Sequence, residues 1–229
     1  VHPRIELLFH EKGNSLPALV FDFGGPVLLT PFELRHQGED RLGLSRGTLA
    51  WTGPFDPDAD SDWQDFQNGL INEREYWKLQ VDKFTEIMGR ETTMQELMAP
   101  LYSGSESELI RPEARDLLRE AKAQGIPVGM LTNDLTAFHD ASWIAGITII
   151  SEFDAMVDGR QDSIFKPDPA AYQLMCERLN VPVEGTVFVD DQPINLRGAE
   201  ALGMVAVHLD PRSPVKGFHQ ARVALGLIS

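Results

Sequence analysis

Short apolar segments that alternate with helical patterns constrain the fold of this chain more than any other feature. Four segments have the length and composition of buried strands, at 18–23, 127–131, 186–189 and 204–209, and a weaker fifth lies at 153–157. Helical patterns lie between them, most clearly at 112–124 and 169–179, where apolar residues recur on one face. This order predicts an α/β protein with a doubly wound, Rossmann-like parallel sheet.

A long helical insertion interrupts this alternation at residues 32–106, which contain no strong strand pattern. Within it, the segment TGPFDPDADSD at 52–62 holds two prolines and four aspartates and is predicted to be a loop. The insertion follows the first strand directly. We therefore expect a helical cap (32–106) at the carboxyl ends of the strands, where open α/β sheets bind ligands. Residues 15–31 and 107–229 would form the core, and residues 1–14 an N-terminal arm or tail.

Charge and cysteine content exclude several classes of function. The 229 residues include 35 acidic and 20 basic side chains, for a formal net charge of −15, which repels nucleic acid and anionic membranes. An anionic ligand therefore needs a local binding site. The single cysteine, Cys176, excludes disulfides and cysteine-based metal clusters and is typical of a reducing compartment. We expect a soluble, cytoplasmic protein with no nucleic-acid or membrane partner; the oligomeric state is not predicted.

Polar side chains follow the first two predicted strands. Asp22 ends the first strand in VFDFGGPVLLT, immediately before a Gly24-Gly25 turn. A carboxylate there can attack phosphorus or bind a metal, or it can simply end a strand. Thr132 and Asn133 follow the second strand and can hold an anion near a helix N-terminus, or cap that helix.

Two further charged motifs occur later in the chain. Asp190 and Asp191 follow the strand at 186–189, and adjacent carboxylates at a strand end suit Mg²⁺, although they can also form a solvated acidic turn. Lys166 precedes a helix start in the segment IFKPDP, whose two prolines stiffen the backbone; taken alone, it is interpreted as a surface charge.

In this order, Asp22, Thr132, Lys166 and the Asp190-Asp191 pair resemble the four motifs of the haloacid dehalogenase-like (HAD) hydrolase superfamily. The strongest similarity lies in FKPDPAAYQLMCERLNV and TVFVDDQPINLRGAEALGM. The resemblance covers roughly residues 16–209 and is closest to the subfamily whose helical cap is inserted just after the first strand.

The resemblance implies a Mg²⁺-dependent phosphatase that acts on a small phosphorylated metabolite under a cap that closes over it. Its implied nucleophile is Asp22, which would form an aspartyl-phosphate. The implied metal ligands are Asp22, the Gly24 carbonyl, Asp190 and Asp191, and the implied phosphoryl-binding groups are Lys166, Thr132 and, more loosely, the backbone N–H or amide of Asn133.

Gly24 departs from the family pattern, because phosphatases of the family usually carry there a second aspartate that protonates the leaving oxygen. Three explanations remain open. The substrate has an acidic leaving group; or a cap residue supplies the proton, with His36, Glu33 and Glu39 as candidates unless they are simply exposed helix residues; or phosphatase activity is weak or lost.

Two alternative functions follow from the same position. A 2-haloacid dehalogenase needs no proton donor, since halide leaves unaided, although Asp190 and Asp191 would then oppose an anionic substrate. An interaction protein on the hydrolase fold would also tolerate glycine there. In the cap we expect aromatic side chains mainly to pack together, with residues 51–55 as candidates for substrate contact. His139, Trp143 and Cys176 are predicted to be structural.

Overall fold

The computed structural model describes residues 17–228, so the predicted N-terminal arm at 1–14 lies outside the described residues. The strands are β1 (Leu19–Phe21), β2 (Val128–Thr132), β3 (Ala155–Asp158), β4 (Val187–Asp190) and β5 (Val205–His208). The helices are α1 (Pro31–Leu42), α2 (Ser61–Gln67), α3 (Glu73–Met88), α4 (Met94–Met98), α5 (Glu106–Leu109), α6 (Pro112–Ala123), α7 (Leu135–Phe138), α8 (Ala141–Gly146), α9 (Gly159–Asp162), α10 (Pro169–Leu179), α11 (Pro193–Glu200) and α12 (Pro214–Ala224). None of the described helices is both long and apolar enough for a membrane crossing.

The five strands form one parallel sheet in the order β3-β2-β1-β4-β5, which confirms the predicted α/β, doubly wound fold. Successive side chains of a strand point to opposite faces, so each strand serves two cores. Helices α10 and α11 pack together on one face, where Tyr172 contacts the ring of Phe188. Helices α6 and α12 pack together, and the Arg222–Glu120 ion pair links them.

The strand ends carry more of the polar residues than the apolar pattern predicts. Strand β2 includes Thr132 and strand β4 includes Asp190, each one residue beyond the predicted strand. Backbone pairing explains the extension, because Thr132 pairs with Asp158 on β3 and Asp190 pairs with His208 on β5. The neighbouring strand thus extends regular structure to the first polar side chain.

The chain divides into two compact units. The sheet unit comprises 17–27, Pro112–Asn133 and 149–228, and the helical unit comprises Leu28–Arg111 and Asp134–Thr148. The helical unit is larger than the cap drawn from the sequence at 32–106. An antiparallel bridge pairs Leu28 with Ile110, and α7 packs on α4, so these segments belong to the same unit.

Aromatic packing forms the core of the helical unit. The rings of Phe32, Trp63, Tyr76 and Trp77 contact one another, and Trp51 meets Trp77 edge to face at 6.2 Å between ring centroids. Four of these side chains are buried, namely Trp51, Trp63, Tyr76 and Trp77, as the packing interpretation predicts. Within 51–55, Trp51 is therefore a core residue, whereas Phe55 is 45% exposed.

The acidic segment 52–62 is organised around one buried carboxylate, that of Asp60. Its oxygens accept hydrogen bonds from the backbone N–H groups of Thr52, Gly53 and Trp63 and from the Tyr76 hydroxyl, at 2.9–3.0 Å. The predicted loop contains two short 3₁₀ turns, Gly53–Phe55 and Pro57–Ala59, and Asp60 caps the N-terminus of α2.

Candidate active site

The central strand of the sheet brings two of the predicted carboxylates together. Strand β1 lies between β2 and β4, and its register pairs Phe21 with Val189 on β4. The following residues, Asp22 and Asp190, therefore leave neighbouring strands side by side at their carboxyl ends. The Asp22 N–H also donates to the Val189 carbonyl at 2.8 Å, which fixes the backbone at the start of the turn.

Lys166 lies between these two carboxylates. Its Nζ is 2.9 Å from Asp22 Oδ1 and 2.8 Å from Asp190 Oδ2, and its side chain is 1% exposed. The ammonium also lies 5.4 Å from the centroid of the Phe188 ring. A buried lysine needs such partners, because an unpaired buried charge is strongly unfavourable. Lys166 is thus a buried member of the site, and the surface-charge interpretation is wrong.

Burial and charge act in opposite directions on these groups. Burial is the largest influence on Asp22 and raises the pKa of its carboxyl to about 7, while the Lys166 ammonium lowers it. For Lys166, burial lowers the pKa, but the carboxylates of Asp190 and Asp22 outweigh this effect and hold the pKa well above its ordinary value. The lysine is therefore held in its charged form.

Asp191 completes a cluster that fits a divalent cation. Asp22, Asp190 and Asp191 each offer a carboxylate oxygen within 4.8 Å of the others. Three carboxylates and one ammonium carry a formal charge of −3 + 1 = −2, which the +2 charge of Mg²⁺, an ion that prefers oxygen ligands, would neutralise. Gly25 lies against this cluster: its φ is +92°, and a Cβ there would come within 2.7 Å of Asp191 Cγ.

Three polar groups that the sequence analysis did not assign to Asp190 hold that side chain in place. The Gln192 N–H donates to Asp190 Oδ1 at 2.7 Å, and Asn195 Nδ2 lies 3.1 Å from Oδ2 and 3.3 Å from Oδ1. The Lys166 ammonium is the third. Gln192 and Asn195 both lie at the start of α11. A polar residue in the first helical turn after a strand-end aspartate is therefore the sequence signal that could have identified the groups that orient Asp190.

Asn133 has a different contact from the one predicted for it. Its Oδ1 accepts a hydrogen bond from the Lys166 N–H at 2.8 Å, and its Nδ2 donates to the Lys166 carbonyl at 3.1 Å. The amide thus orients the backbone of the lysine, across the cis Lys166–Pro167 bond. The side-chain version of the predicted phosphoryl contact does not fit this pairing, and the backbone N–H version stays a prediction.

Thr132 and Gly24 occupy the remaining predicted positions. Thr132 ends β2 and is buried, next to the central strand. Gly24 follows Asp22 at an exposed position, and a Cβ placed there would find no heavy atom within 4 Å. The roles of Thr132 in phosphoryl binding and of the Gly24 carbonyl as a metal ligand stay predictions.

The three candidate proton donors of the helical unit already have partners within that unit. Glu33 Oε2 lies 2.6 Å from Arg111 Nη2 and also accepts from the Thr30 N–H in a capping box. Glu39, which was predicted to be either a proton donor or an exposed helix residue, is fully buried. It accepts from the backbone N–H groups of Gly47 and Leu49, and His36 Nδ1 lies 2.9 Å away.

The residues predicted to be structural are buried or in ring contacts. His139 stacks on Trp143 with ring centroids 3.7 Å apart and meets Tyr102 edge to face. The Trp143 indole donates to the Tyr102 carbonyl at 2.8 Å. Cys176 is buried in the core between the sheet and α10.

The chain is similar to known proteins over most of its length. The family model described as haloacid dehalogenase-like hydrolase matches residues 18–203. The chain is 28% identical over 207 residues to Phosphatase MT3486 of Mycobacterium tuberculosis, covering 86% of this chain and 88% of that protein. It is 26% identical over 213 residues to Acyl-CoA dehydrogenase family member 10 of Mus musculus, covering 90% of this chain but 19% of the mouse protein.

A solved structure of a dehalogenase with an intermediate complex has the same fold, with a TM-score of 0.57, 24% identity and 86% of each chain covered. At this identity the likeness shows the fold alone. The family match, by contrast, spans most of the chain and includes Asp22, Lys166 and both aspartates of the acidic pair. The chain belongs to the haloacid dehalogenase-like hydrolases.

Proposed function

We propose that this hydrolase removes the phosphoryl group from a small phosphomonoester in a Mg²⁺-dependent reaction through an aspartyl-phosphate. One observation carries the proposal: the Lys166 ammonium bridges Asp22 and Asp190, and Asp191 adds a third carboxylate to the same cluster. In this proposal, Asp22 is the nucleophile, the three carboxylates form the divalent-cation site and Lys166 is the phosphate-binding cation. The 28% identical phosphatase relative is consistent with it.

Asp22 is the residue proposed to attack phosphorus. Its Oδ1 is fixed by Lys166 at 2.9 Å and by the Phe23 N–H at 2.7 Å, while Oδ2 accepts no hydrogen bond from the described residues. In the first step, a bond forms between the free carboxylate oxygen and phosphorus as the bond to the leaving oxygen breaks. In the second step, water attacks phosphorus, the bond to Asp22 breaks, and inorganic phosphate leaves.

The surrounding residues orient these groups and balance their charges. Asp22, the Gly24 carbonyl, Asp190 and Asp191 would hold Mg²⁺, which screens the repulsion between carboxylate and phosphate. Lys166 and the Thr132 hydroxyl would hold phosphoryl oxygens as charge spreads onto them. The Asn133 backbone N–H is a further candidate donor. Asn195 and Gln192 keep Asp190 oriented through the contacts described above.

Hydrolysis of 4-nitrophenyl phosphate tests this proposal. We expect release of 4-nitrophenol with Mg²⁺, loss of release with EDTA, and loss in Asp22→Asn, which removes the nucleophile. Asp82→Asn is a matched control, because Asp82 is an exposed residue paired with Lys78 on α3 and should leave the rate unchanged. Undiminished activity in EDTA would contradict the metal assignment, and full activity in Asp22→Asn would contradict the nucleophile.

A 2-haloacid dehalogenase remains the second candidate because Gly24 supplies no proton donor and a dehalogenase shares the fold. The fully buried Asp190 beside Asp22 argues against it, since two carboxylates without a cation would repel a haloacid. Chloride release from 2-chloropropionate in EDTA would select the dehalogenase. Absence of turnover on both substrate types, despite Mg²⁺ binding, would instead indicate an interaction protein on this fold.

A further inference from the structure

The residue two positions after the proposed nucleophile has open space where a side chain would begin. Gly24 is exposed, its backbone lies outside the left-handed region, and a Cβ built there meets no heavy atom within 4 Å. Its neighbour Gly25 contrasts with it, since φ is +92° and a Cβ would collide with Asp191. Glycine is thus required at 25 by geometry but not at 24, where a Cβ atom has room.

The other groups around Asp22 are poorly suited to deliver a proton to a leaving oxygen. The Lys166 ammonium lies between two carboxylates, 2.9 Å from Asp22 and 2.8 Å from Asp190, and its protons are shared with these two acceptors. The Asn133 amide pairs with the Lys166 backbone, and an amide is not an acid in any case. Asp190 accepts hydrogen bonds from three groups and is fully buried as the partner of the ammonium.

The two carboxylates of the helical unit that were candidate proton donors already have hydrogen-bond partners within that unit. Glu33 is paired with Arg111, and Glu39 accepts two backbone N–H groups beside His36. Burial opposes ionisation of Glu39, but the hydrogen bonds from His36, Leu49 and Gly47 hold its pKa below the ordinary value. A carboxylate kept ionised in this way is a poor proton donor.

From this geometry we infer that the enzyme acts on phosphoryl compounds whose leaving oxygen is itself acidic: the anomeric hydroxyl of a sugar, a phenol or a carboxylic acid. This inference rests on the proposed function and narrows its substrate class. In the first step, the bond between Asp22 and phosphorus forms, and the leaving oxygen departs with the electron pair as an oxyanion. It then takes its proton from water instead of from the protein. An ordinary alkyl alcohol would leave slowly.

The same gap affects the second step. Water must attack the aspartyl-phosphate without a positioned carboxylate at residue 24 to accept its proton, so this step is slow relative to the first for good leaving groups. The phosphorylated form of Asp22 therefore accumulates during turnover. Because the second step is common to all substrates, kcat becomes independent of the leaving group, whereas kcat/KM still reports the first step.

A series of substituted phenyl phosphates of similar size tests this inference, with Mg²⁺ present throughout. In the wild type, kcat/KM should fall steeply as the phenol becomes less acidic, and kcat should stay constant among the most acidic members. Acid-quenched intact mass should show one added phosphoryl group during turnover. Three further substrates compare the classes of leaving group: a sugar 1-phosphate, an acyl phosphate and the corresponding sugar 6-phosphate. The 6-phosphate, whose leaving group is an alkyl alcohol, should have the lowest kcat/KM of the three.

Two substitutions of equal shape supply the matched comparison. Gly24→Asp restores a proton donor and should raise kcat/KM for the least acidic phenols and for the 6-phosphate by about 10²–10⁴-fold, the usual value of general acid catalysis. Gly24→Asn adds the same volume without an acid and should keep the wild-type dependence. For 4-nitrophenyl phosphate, Gly24→Asp should raise kcat/KM by a smaller factor, because 4-nitrophenol is an acidic leaving group that departs without a proton donor.

Several results would overturn the inference without touching the proposed function. A wild-type kcat/KM that does not depend on leaving-group acidity would show that another residue delivers the proton, and this measurement needs no variant to fold. Equal behaviour of Gly24→Asp and Gly24→Asn would do the same. By contrast, failure of every substrate in the series, 4-nitrophenyl phosphate included, would refute phosphatase activity itself.

Discussion

Asn133 orients the backbone of Lys166 through its side-chain amide. It forms two hydrogen bonds with the backbone of the lysine, 33 positions later in the chain. Each such bond contributes about 0.5–1.5 kcal/mol to stability. The lysine side chain must then reach two carboxylates at once, so a small shift of its backbone changes both contacts.

We predict that Asn133→Ala lowers the free energy of unfolding by about 1–3 kcal/mol through the loss of both bonds. Turnover of 4-nitrophenyl phosphate should fall by about ten- to a hundredfold, since misplacement of a catalytic group is costly. Urea denaturation and initial rates check the two effects. Asn68→Ala, at an exposed helix C-terminus, is the control that should change neither. Normal turnover in Asn133→Ala would show that Lys166 is oriented by other contacts.

At the scale of elements, the Asp60 carboxylate fixes the segment between α1 and α2. We predict that Asp60→Ala lowers the free energy of unfolding by about 2–5 kcal/mol, because it removes a helix cap and leaves buried donors without acceptors. Tyr76→Phe removes only one of the four donors and should cost about 1 kcal/mol. Urea denaturation of both variants checks this order. Equal losses would mean that the tyrosine bond alone matters.

The short connection between α7 and α8 carries a buried histidine whose protonation opposes folding. Burial lowers the pKa of His139 from 6.5 to about 3. Between these values the unfolded state binds the proton and the folded state does not, so the free energy of unfolding falls as the pH is lowered. From His139 alone, the loss between neutral pH and pH 5 is about 2 kcal/mol, and above about pH 7.5 His139 makes almost no contribution.

Replacement by a ring that does not titrate isolates this effect. We predict that His139→Phe keeps the stacking on Trp143 and loses about 2 kcal/mol less than the wild type between neutral pH and pH 5. Urea denaturation at a series of pH values gives the comparison, in which each protein serves as its own reference at pH 7.5. Parallel pH profiles for the two proteins would contradict a buried, neutral histidine.

Local sequence patterns predict most of the sheet but not the full extent of the helical unit. Each strand begins and ends within two residues of the predicted apolar run. The pattern is clearest in β1, β2 and β4, because a parallel strand that is buried on both faces is apolar along most of its length. Helices α7 and α8 are short and follow a core strand, so no local pattern assigns them to the helical unit. That assignment depends on contacts such as Phe138 with Trp77 and Trp143 with Tyr102.

The site shows the same division. Strand-end positions predict that Asp22 and Asp190 lie close together, since parallel strands deliver their carboxyl ends to one edge. The order of the motifs adds Lys166, which contacts both carboxylates in the structure. The pairing of the Asn133 amide with Lys166 could not be predicted, because it depends on the path of a loop that has no periodic pattern. The full burial of Glu39 was missed for a related reason: its acceptors lie in an irregular turn at Gly47 and Leu49.

For the whole molecule, the charge of −15 means that any cation stabilises the chain to some extent by screening. A specific Mg²⁺ site adds a separate effect, because a ligand that binds only the native state stabilises it by mass action. We predict that Mg²⁺ at a hundred times its Kd raises the free energy of unfolding by about 2.7 kcal/mol. This measurement does not require turnover.

Two comparisons separate the site from general screening. Potassium chloride at equal ionic strength should give a much smaller increase than Mg²⁺. In Asp190→Asn, which lacks a central carboxylate of the cluster, the extra stabilisation by Mg²⁺ should disappear while the effect of potassium chloride remains. An equal response to both salts in the wild type would mean that the carboxylate cluster binds no divalent ion.

The open space around Gly24 also has an evolutionary consequence. A single nucleotide change converts any glycine codon into one for aspartate or glutamate, and here the added Cβ meets no heavy atom within 4 Å. Under the proposed function, a broader range of esters is therefore one mutation away. Cells that depend on this enzyme to release phosphate from an alkyl ester, as their sole phosphorus source, should acquire substitutions at codon 24 first.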